Sequence, residues 1–140
     1  MGKNMANTSQ IKSKERVKKF AEVFTAEREV KAMCDLVDDC CRDIKATFLE
    51  PTCGNGNFLV EIIRRKLAQC KSEQDIITAY GSIYGIDIQE DNVRETRQRL
   101  WKIARTHTLN WHTLTEVARI LANNIICGNS LEIMKSMENQ

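Results

Sequence analysis

The sequence predicts an α/β fold, in which a short parallel sheet of about three strands is flanked by helices and preceded by two N-terminal helices. Three short apolar segments, each followed by polar or turn-forming residues, alternate with stretches of helical periodicity. Such alternation is typical of parallel strands joined by right-handed crossovers. The length of 140 residues fits one domain.

The N-terminal part is predicted to be a flexible tail, residues 1–12, followed by two helices. An apolar stripe marks the first helix, and the hydroxyl of Thr25 is suited to cap the second. The second helix should end near Arg42 or Asp43. Its buried face is expected to consist of Val30, Met33, Cys34, Val37, Cys40 and Cys41.

The remaining elements follow in alternation. The apolar segments predict strands at 46–49, 83–88 and 124–128. A helix starting near Asn57 is predicted after the first strand, and a polar loop at 71–75 before the second. Helices are also predicted at 90–105, 113–121 and 131–137. The basic cluster on the helix 90–105 is expected to be a solvated outer face in preference to a nucleic-acid contact; it consists of Arg94, Arg97, Arg99, Lys102 and Arg105.

Composition excludes several classes of protein. Lys and Arg number 21 against 19 Asp and Glu, a balance that does not fit a strongly basic nucleic-acid domain. No apolar run approaches the ~18 residues of a membrane span, and the first residues lack the apolar core of a secretory signal. The six cysteines include no Cys-x-x-Cys pair. We therefore expect a cytoplasmic protein with reduced thiols, without a metal site or membrane contact.

Polar residues follow all three predicted strands: 50–57 after the first, Asp87 after the second, and Asn129 with Ser130 after the third. Ligands of parallel sheets bind at the carboxyl ends of the strands. Gly54 and Gly56 allow a tight turn close to a ligand. The turn contains Gly-x-Gly but no third glycine, since Leu59 stands in that place.

Charge indicates which ligand would suit this turn. The Glu50 carboxylate would repel a pyrophosphate and favour a cationic amine or sulfonium. Asp87 offers two acceptor oxygens to the vicinal hydroxyls of a ribose, and Ile88 an apolar surface to an adenine ring. The side-chain carbonyl of Asn129 is suited to accept from the adenine amine, and the amide of Ser130 to donate to a ring nitrogen. Together these features describe S-adenosylmethionine. The alternative, a turn without a ligand in which Asp87 only caps the next helix, stays open.

Three motifs resemble those of a known family. F-L-E-P-T-C-G-N-G-N-F, Y-G-I-D-I-Q-E-D-N and N-I-I-C-G-N-S-L look like the cofactor motifs of amino-group DNA methyltransferases, most closely of the adenine-N6 branch of restriction-modification systems. The segment E-V-F-T-A-E-R-E-V is similar to their N-terminal motif, with Ala26 where proline is usual. Asn129 stands where aspartate is more common. The resemblance implies a Rossmann-like methyltransferase half-domain over 13–140. The implied cofactor-binding residues are Thr25, Glu50, Thr52, Gly54, Gly56, Phe58, Asp87, Ile88, Asn129 and Ser130.

The resemblance also implies what the chain does. We expect it to be the S-adenosylmethionine-binding portion of a site-specific DNA adenine-N6 methyltransferase. The family's catalytic motif, Asn or Asp followed by Pro-Pro and an aromatic residue, is absent because Pro51 is the sole proline. No residue of this chain is therefore assigned a catalytic role, and the chain alone should be inactive. The alternatives are a non-catalytic nucleoside-binding or dimerisation module, and a fragment of an RNA or protein methyltransferase.

The same resemblance bears on partners. DNA would be bound through the complete enzyme. A half-sheet with strand order 3-2-1 leaves the first strand at an edge with unpaired backbone groups. We expect this edge to be closed by a second copy of the chain, by the N-terminal helices, or by a complementary methyltransferase half.

Overall fold

The computed structural model describes residues 27–139, so the predicted tail, the first predicted helix and Thr25 lie outside the described part. Helical residues 27–36 (α1) and the helix Asp38–Arg42 (α2) replace the single helix that the sequence predicts. The interruption at Val37 breaks the expected periodicity. Of the six residues predicted for the buried face, Cys34 and Cys41 are fully buried, whereas Met33 and Val37 are exposed.

The sheet has three parallel strands in the order β1-β2-β3, as predicted. The strands are Phe48–Glu50 (β1), Ile83–Asp87 (β2) and Ile125–Cys127 (β3), each shorter than its predicted segment. Phe48 pairs with Ile83, and Gly85 pairs with Ile125. The predicted fold class, a short parallel sheet flanked by helices, is confirmed.

Helices fill both connections between the strands. They are Asn57–Leu67 (α3) and Glu73–Gly81 (α4) before β2, Glu90–His107 (α5) and Trp111–Asn124 (α6) before β3, and Ser130–Glu138 (α7) after it. The sequence does not predict α4, which begins within the polar loop predicted at 71–75. The hydroxyl of Ser72 accepts from the Asp75 amide at 3.1 Å and so caps α4. No helix within 27–139 is long and apolar enough to cross a bilayer.

The core lies between the helices and one face of the sheet. Ile83 and Ile125 are fully buried there, together with Ile62, Tyr80 and Leu100 from the helices. Right-handed crossovers that advance in one direction along a sheet place their helices on the same face. On the other face, the paired residues Leu49 and Tyr84 are 44% and 38% exposed.

A buried lysine joins the amino ends of β1 and β2. The Lys66 ammonium donates to the carbonyls of Asp43 and Ala46 before β1, and to the Ser82 hydroxyl before β2 at 2.8 Å. It also lies 5.3 Å from the centre of the Phe48 ring. Burial lowers the pKa of Lys66 from its usual range, although three acceptors satisfy the ammonium.

Candidate cofactor-binding site

The ends of the three strands are joined by backbone hydrogen bonds. The amide of Cys53, just after β1, donates to the Ile86 carbonyl at 2.8 Å. The amide of Gly128, just after β3, donates to the Asp87 carbonyl at 2.9 Å. The polar segments predicted to meet at the carboxyl edge of the sheet therefore lie side by side in the structure.

The turn between β1 and α3 depends on its two glycines. Gly54 has a φ of +55° and Gly56 a φ of +90°, values that L side chains rarely adopt. A Cβ on Gly56 would lie 2.9 Å from Cγ2 of Thr96 on α5, whereas one on Gly54 would meet nothing within 4 Å. Gly56 is therefore required for both its conformation and the close approach of α5.

Asp87 fastens this turn to the end of β2. Its Oδ2 accepts from the Gly54 amide at 3.0 Å, and its Oδ1 from the Gln89 amide at 2.8 Å and Asn92 Nδ2 at 3.1 Å. Burial opposes the charge, but these hydrogen bonds outweigh it and hold the pKa of Asp87 below its usual range. A carboxylate has about four acceptor positions. Three are therefore used by donors in the described part of the chain, where no fourth donor to this carboxylate is found.

Glu50, the last residue of β1, is half-buried beside Thr52. Its Oε1 accepts from the Thr52 amide at 3.3 Å and lies 3.5 Å from the Thr52 hydroxyl. No Lys, Arg or His in the described part of the chain forms an ion pair with Glu50.

The remaining predicted site residues have mixed surroundings. Ile88 is 70% exposed directly after β2, and Phe58 packs against the core. Asn129 caps α7, because its Oδ1 accepts from the amides of Leu131 at 3.0 Å and Glu132 at 3.3 Å. Ser130 is the first residue of α7. Both acceptor positions of the Asn129 oxygen are therefore occupied.

The sequence predicts that the arginines of α5 lie on a solvated outer face, and for Arg97 and Arg99 this is wrong. Nε of Arg97 donates to the Ile125 carbonyl at 2.8 Å, where α6 meets β3. Nη1 of Arg99 donates to the Asn55 carbonyl and to Asn57 Oδ1, both at 2.8 Å. Sequence analysis also missed Thr96, although it lies three residues after the buried Val93 and was visible as part of the buried stripe.

The described part of the chain holds no second functional site built from cysteines or from metal-binding residues. Cys53 lies within the glycine turn, where burial raises the pKa of its thiol to about 11. It is therefore protonated at neutral pH and is a poor nucleophile. Within residues 27–139, no group of three or more His, Cys, Asp or Glu is arranged to hold a metal ion.

Comparison with known proteins gives one informative match. Over 79 residues, the chain is 34% identical to the type II methyltransferase M.VspI of Vibrio sp. (strain 343). The similarity is to a methyltransferase. The aligned segment takes in 56% of this chain but 16% of M.VspI, so the chain spans far less than that protein's length. No family model and no solved structure matches the chain.

Proposed function

We propose that this chain is the S-adenosylmethionine-binding portion of a DNA adenine-N6 methyltransferase. The observation that carries the proposal is the hydrogen bond between the Gly54 amide and Asp87 Oδ2, 3.0 Å long. It joins the glycine turn to the one carboxylate at the end of β2. The similarity to M.VspI supports a relationship to a methyltransferase.

The site's chemistry suits the two ends of this cofactor. Glu50 lies next to the turn that would receive the amino-acid tail. Its carboxylate forms no ion pair with a described residue, and it would attract the positive charge of that tail. The exposed Ile88 offers an apolar surface beside Asp87 for the adenine ring. Bound there, S-adenosylmethionine would supply the sulfonium methyl group that the complete enzyme transfers.

To bind both ribose hydroxyls, Asp87 would have to give up one of its present hydrogen bonds. One hydroxyl fits its remaining acceptor position, and a second would displace one of the present donors. Asn92 is the donor that yields, because its side chain can rotate, whereas the amides of Gly54 and Gln89 are fixed by the backbone. The amide nitrogen of Asn129, rather than its occupied oxygen, would face the ring as a hydrogen-bond donor.

The methyl acceptor and the partners belong to the complete enzyme. We propose adenine in DNA as the acceptor, which such enzymes flip out of the duplex. Because β1 is an edge strand of the described sheet, we propose that a second copy or a complementary methyltransferase half closes that edge. Mixed with DNA and methyl-labelled S-adenosylmethionine, the chain alone should transfer no label, because it has no Pro-Pro motif.

Calorimetric titration of the 140-residue chain tests the proposal. We expect binding of S-adenosylmethionine and S-adenosylhomocysteine, and none of NAD. Glu50→Gln should weaken the binding of both S-adenosylmethionine and S-adenosylhomocysteine, since each carries an ammonium group. The affinity for adenosine should not change. The matched control is Glu95→Gln, at an exposed position on α5. Absence of binding at millimolar ligand would overturn the proposal and favour the dimerisation module.

A further inference from the structure

We infer that Arg99 and Thr96 of α5 are positioning residues that set the glycine turn in the shape that receives the amino-acid tail of the cofactor. This inference rests on the proposed function and assigns a role to residues outside the strand ends. Besides its backbone hydrogen bonds, the turn is held by four hydrogen bonds to side chains at the end of β2 and on α5, 33–44 residues later.

Thr96 holds the first half of the turn. Its hydroxyl donates to the Gly54 carbonyl at 3.0 Å, and the residue is fully buried. Its methyl group lies where a side chain on Gly56 would be, so α5 contacts the turn directly. Together with Asp87, Thr96 fixes both the amide and the carbonyl of Gly54.

Arg99 holds the second half. One guanidinium nitrogen bridges the Asn55 carbonyl and Asn57 Oδ1, both at 2.8 Å. The bridge spans Gly56, whose positive φ makes the turn reverse before α3 begins. Since a binding site ordered in advance loses less freedom when the ligand arrives, these contacts favour affinity without touching the ligand.

Two pairs of variants test the inference. Arg99→Met removes the bridge, and its matched control is Arg94→Met on the same helix. Arg94 is 64% exposed, and its ion pairs are long, at 3.8 and 4.0 Å. Thr96→Val removes the hydroxyl while keeping the shape, and Thr96→Ser restores it. The ligands are S-adenosylhomocysteine and adenosine, which lacks the amino-acid tail.

Arg99→Met should weaken S-adenosylhomocysteine binding by about tenfold, in line with the loss of hydrogen bonds from a charged donor. Adenosine affinity should not change, because the turn would face the tail. Thr96→Val should likewise weaken the binding of S-adenosylhomocysteine but not of adenosine. Thr96→Ser should restore the affinity for S-adenosylhomocysteine. If Arg99→Met and Arg94→Met bound S-adenosylhomocysteine equally well, the inference would be overturned. It would also be overturned if Arg99→Met lost affinity for S-adenosylhomocysteine and adenosine to the same extent, because that result indicates a general structural defect.

Amide hydrogen exchange separates this inference from the proposed function. Without ligand, Arg99→Met should speed exchange at residues 54–57, and Arg94→Met should not. If the wild-type chain binds neither ligand, the proposed function fails, while exchange still reports whether Arg99 holds the turn. Unchanged exchange in Arg99→Met would overturn the inference even if the wild type binds.

Discussion

The carboxylate of Asp87 accepts a hydrogen bond from the amide of Gly54, 33 residues earlier in the chain, at 3.0 Å. This contact links the end of β2 to the turn after β1. Asp87 thus has a structural task in addition to the ribose contact that we propose. The same carboxylate also accepts from the amide of Gln89, the residue directly before α5, at 2.8 Å.

Asp87→Asn should lower the free energy of unfolding by about 2 kcal/mol, because it removes a charged acceptor from three donors. Since the folded pKa of Asp87 is depressed, its contribution is present above the ordinary pKa of 3.8 and is lost as pH falls through the folded pKa. Urea unfolding at neutral and acid pH measures both effects. Asp91→Asn, at a side chain that is 93% exposed, is the control, and equal losses in the two variants would contradict the prediction.

Alanine at the two turn glycines should have unequal effects. Gly54→Ala should cost about 1 kcal/mol for the left-handed backbone alone. Gly56→Ala should cost about 3 kcal/mol, because its Cβ would also collide with Thr96. Thermal and urea unfolding of the two variants checks the order. A Gly54 variant as unstable as the Gly56 variant would show that contact with α5 is unimportant.

Stability should fall as pH rises from about 9 to 11 under reducing conditions. Burial raises the pKa of Cys34 to about 12, and of Cys53 and Cys70 to about 11, from an ordinary value of 9.0. In that range the unfolded chain releases thiol protons that the folded chain retains, which favours unfolding. Urea unfolding against pH should show a shallower decline for Cys34→Ala. Cys40→Ala, at an exposed position, should keep the wild-type slope.

Lys66→Met should lower the free energy of unfolding by about 3 kcal/mol, because three buried oxygens lose their donor. Lys66 also affects how stability depends on pH, in the direction opposite to that of the buried thiols. The folded pKa of Lys66 is depressed, so the wild type gains stability from this group as pH rises from the folded pKa towards 10.5. The variant should lack that gain in the same urea series. Lys45→Met, at an exposed site, is the control, and an equally stable Lys66→Met would refute the prediction.

Apart from α4, the order of elements was predictable because apolar periodicity and glycine turns are local signals. Three details were not. The polar start of α4 resembles a loop, although Ser72 and Asp75 form a cap. The break at Val37 leaves no mark in the helical pattern of 30–41. Lys66 is fully buried because carbonyls before β1 surround it, and those lie 20–23 residues away in sequence.

The site was predictable as a set of strand ends and less so as a set of contacts. Gly54 and Asp87 meet, as parallel strands require. Arg99 was assigned to the wrong surface, because periodicity gives the direction of a Cα and not the reach of a long side chain. The occupied oxygen of Asn129 follows from helix capping, and those of Asp87 follow from local donors together with the distant Gly54 amide, none of which residue type alone reveals.

β1 is only three residues long, yet charged side chains fasten both of its ends to β2. The Lys66 ammonium binds the carbonyls that precede the strand and the Ser82 hydroxyl, and the Asp87 carboxylate binds the turn that follows it. A slip of this strand by one residue would break both attachments at once and turn Leu49 towards the helices. A cation at one end and an anion at the other thus hold the alignment that so few ladder bonds would leave weakly defined.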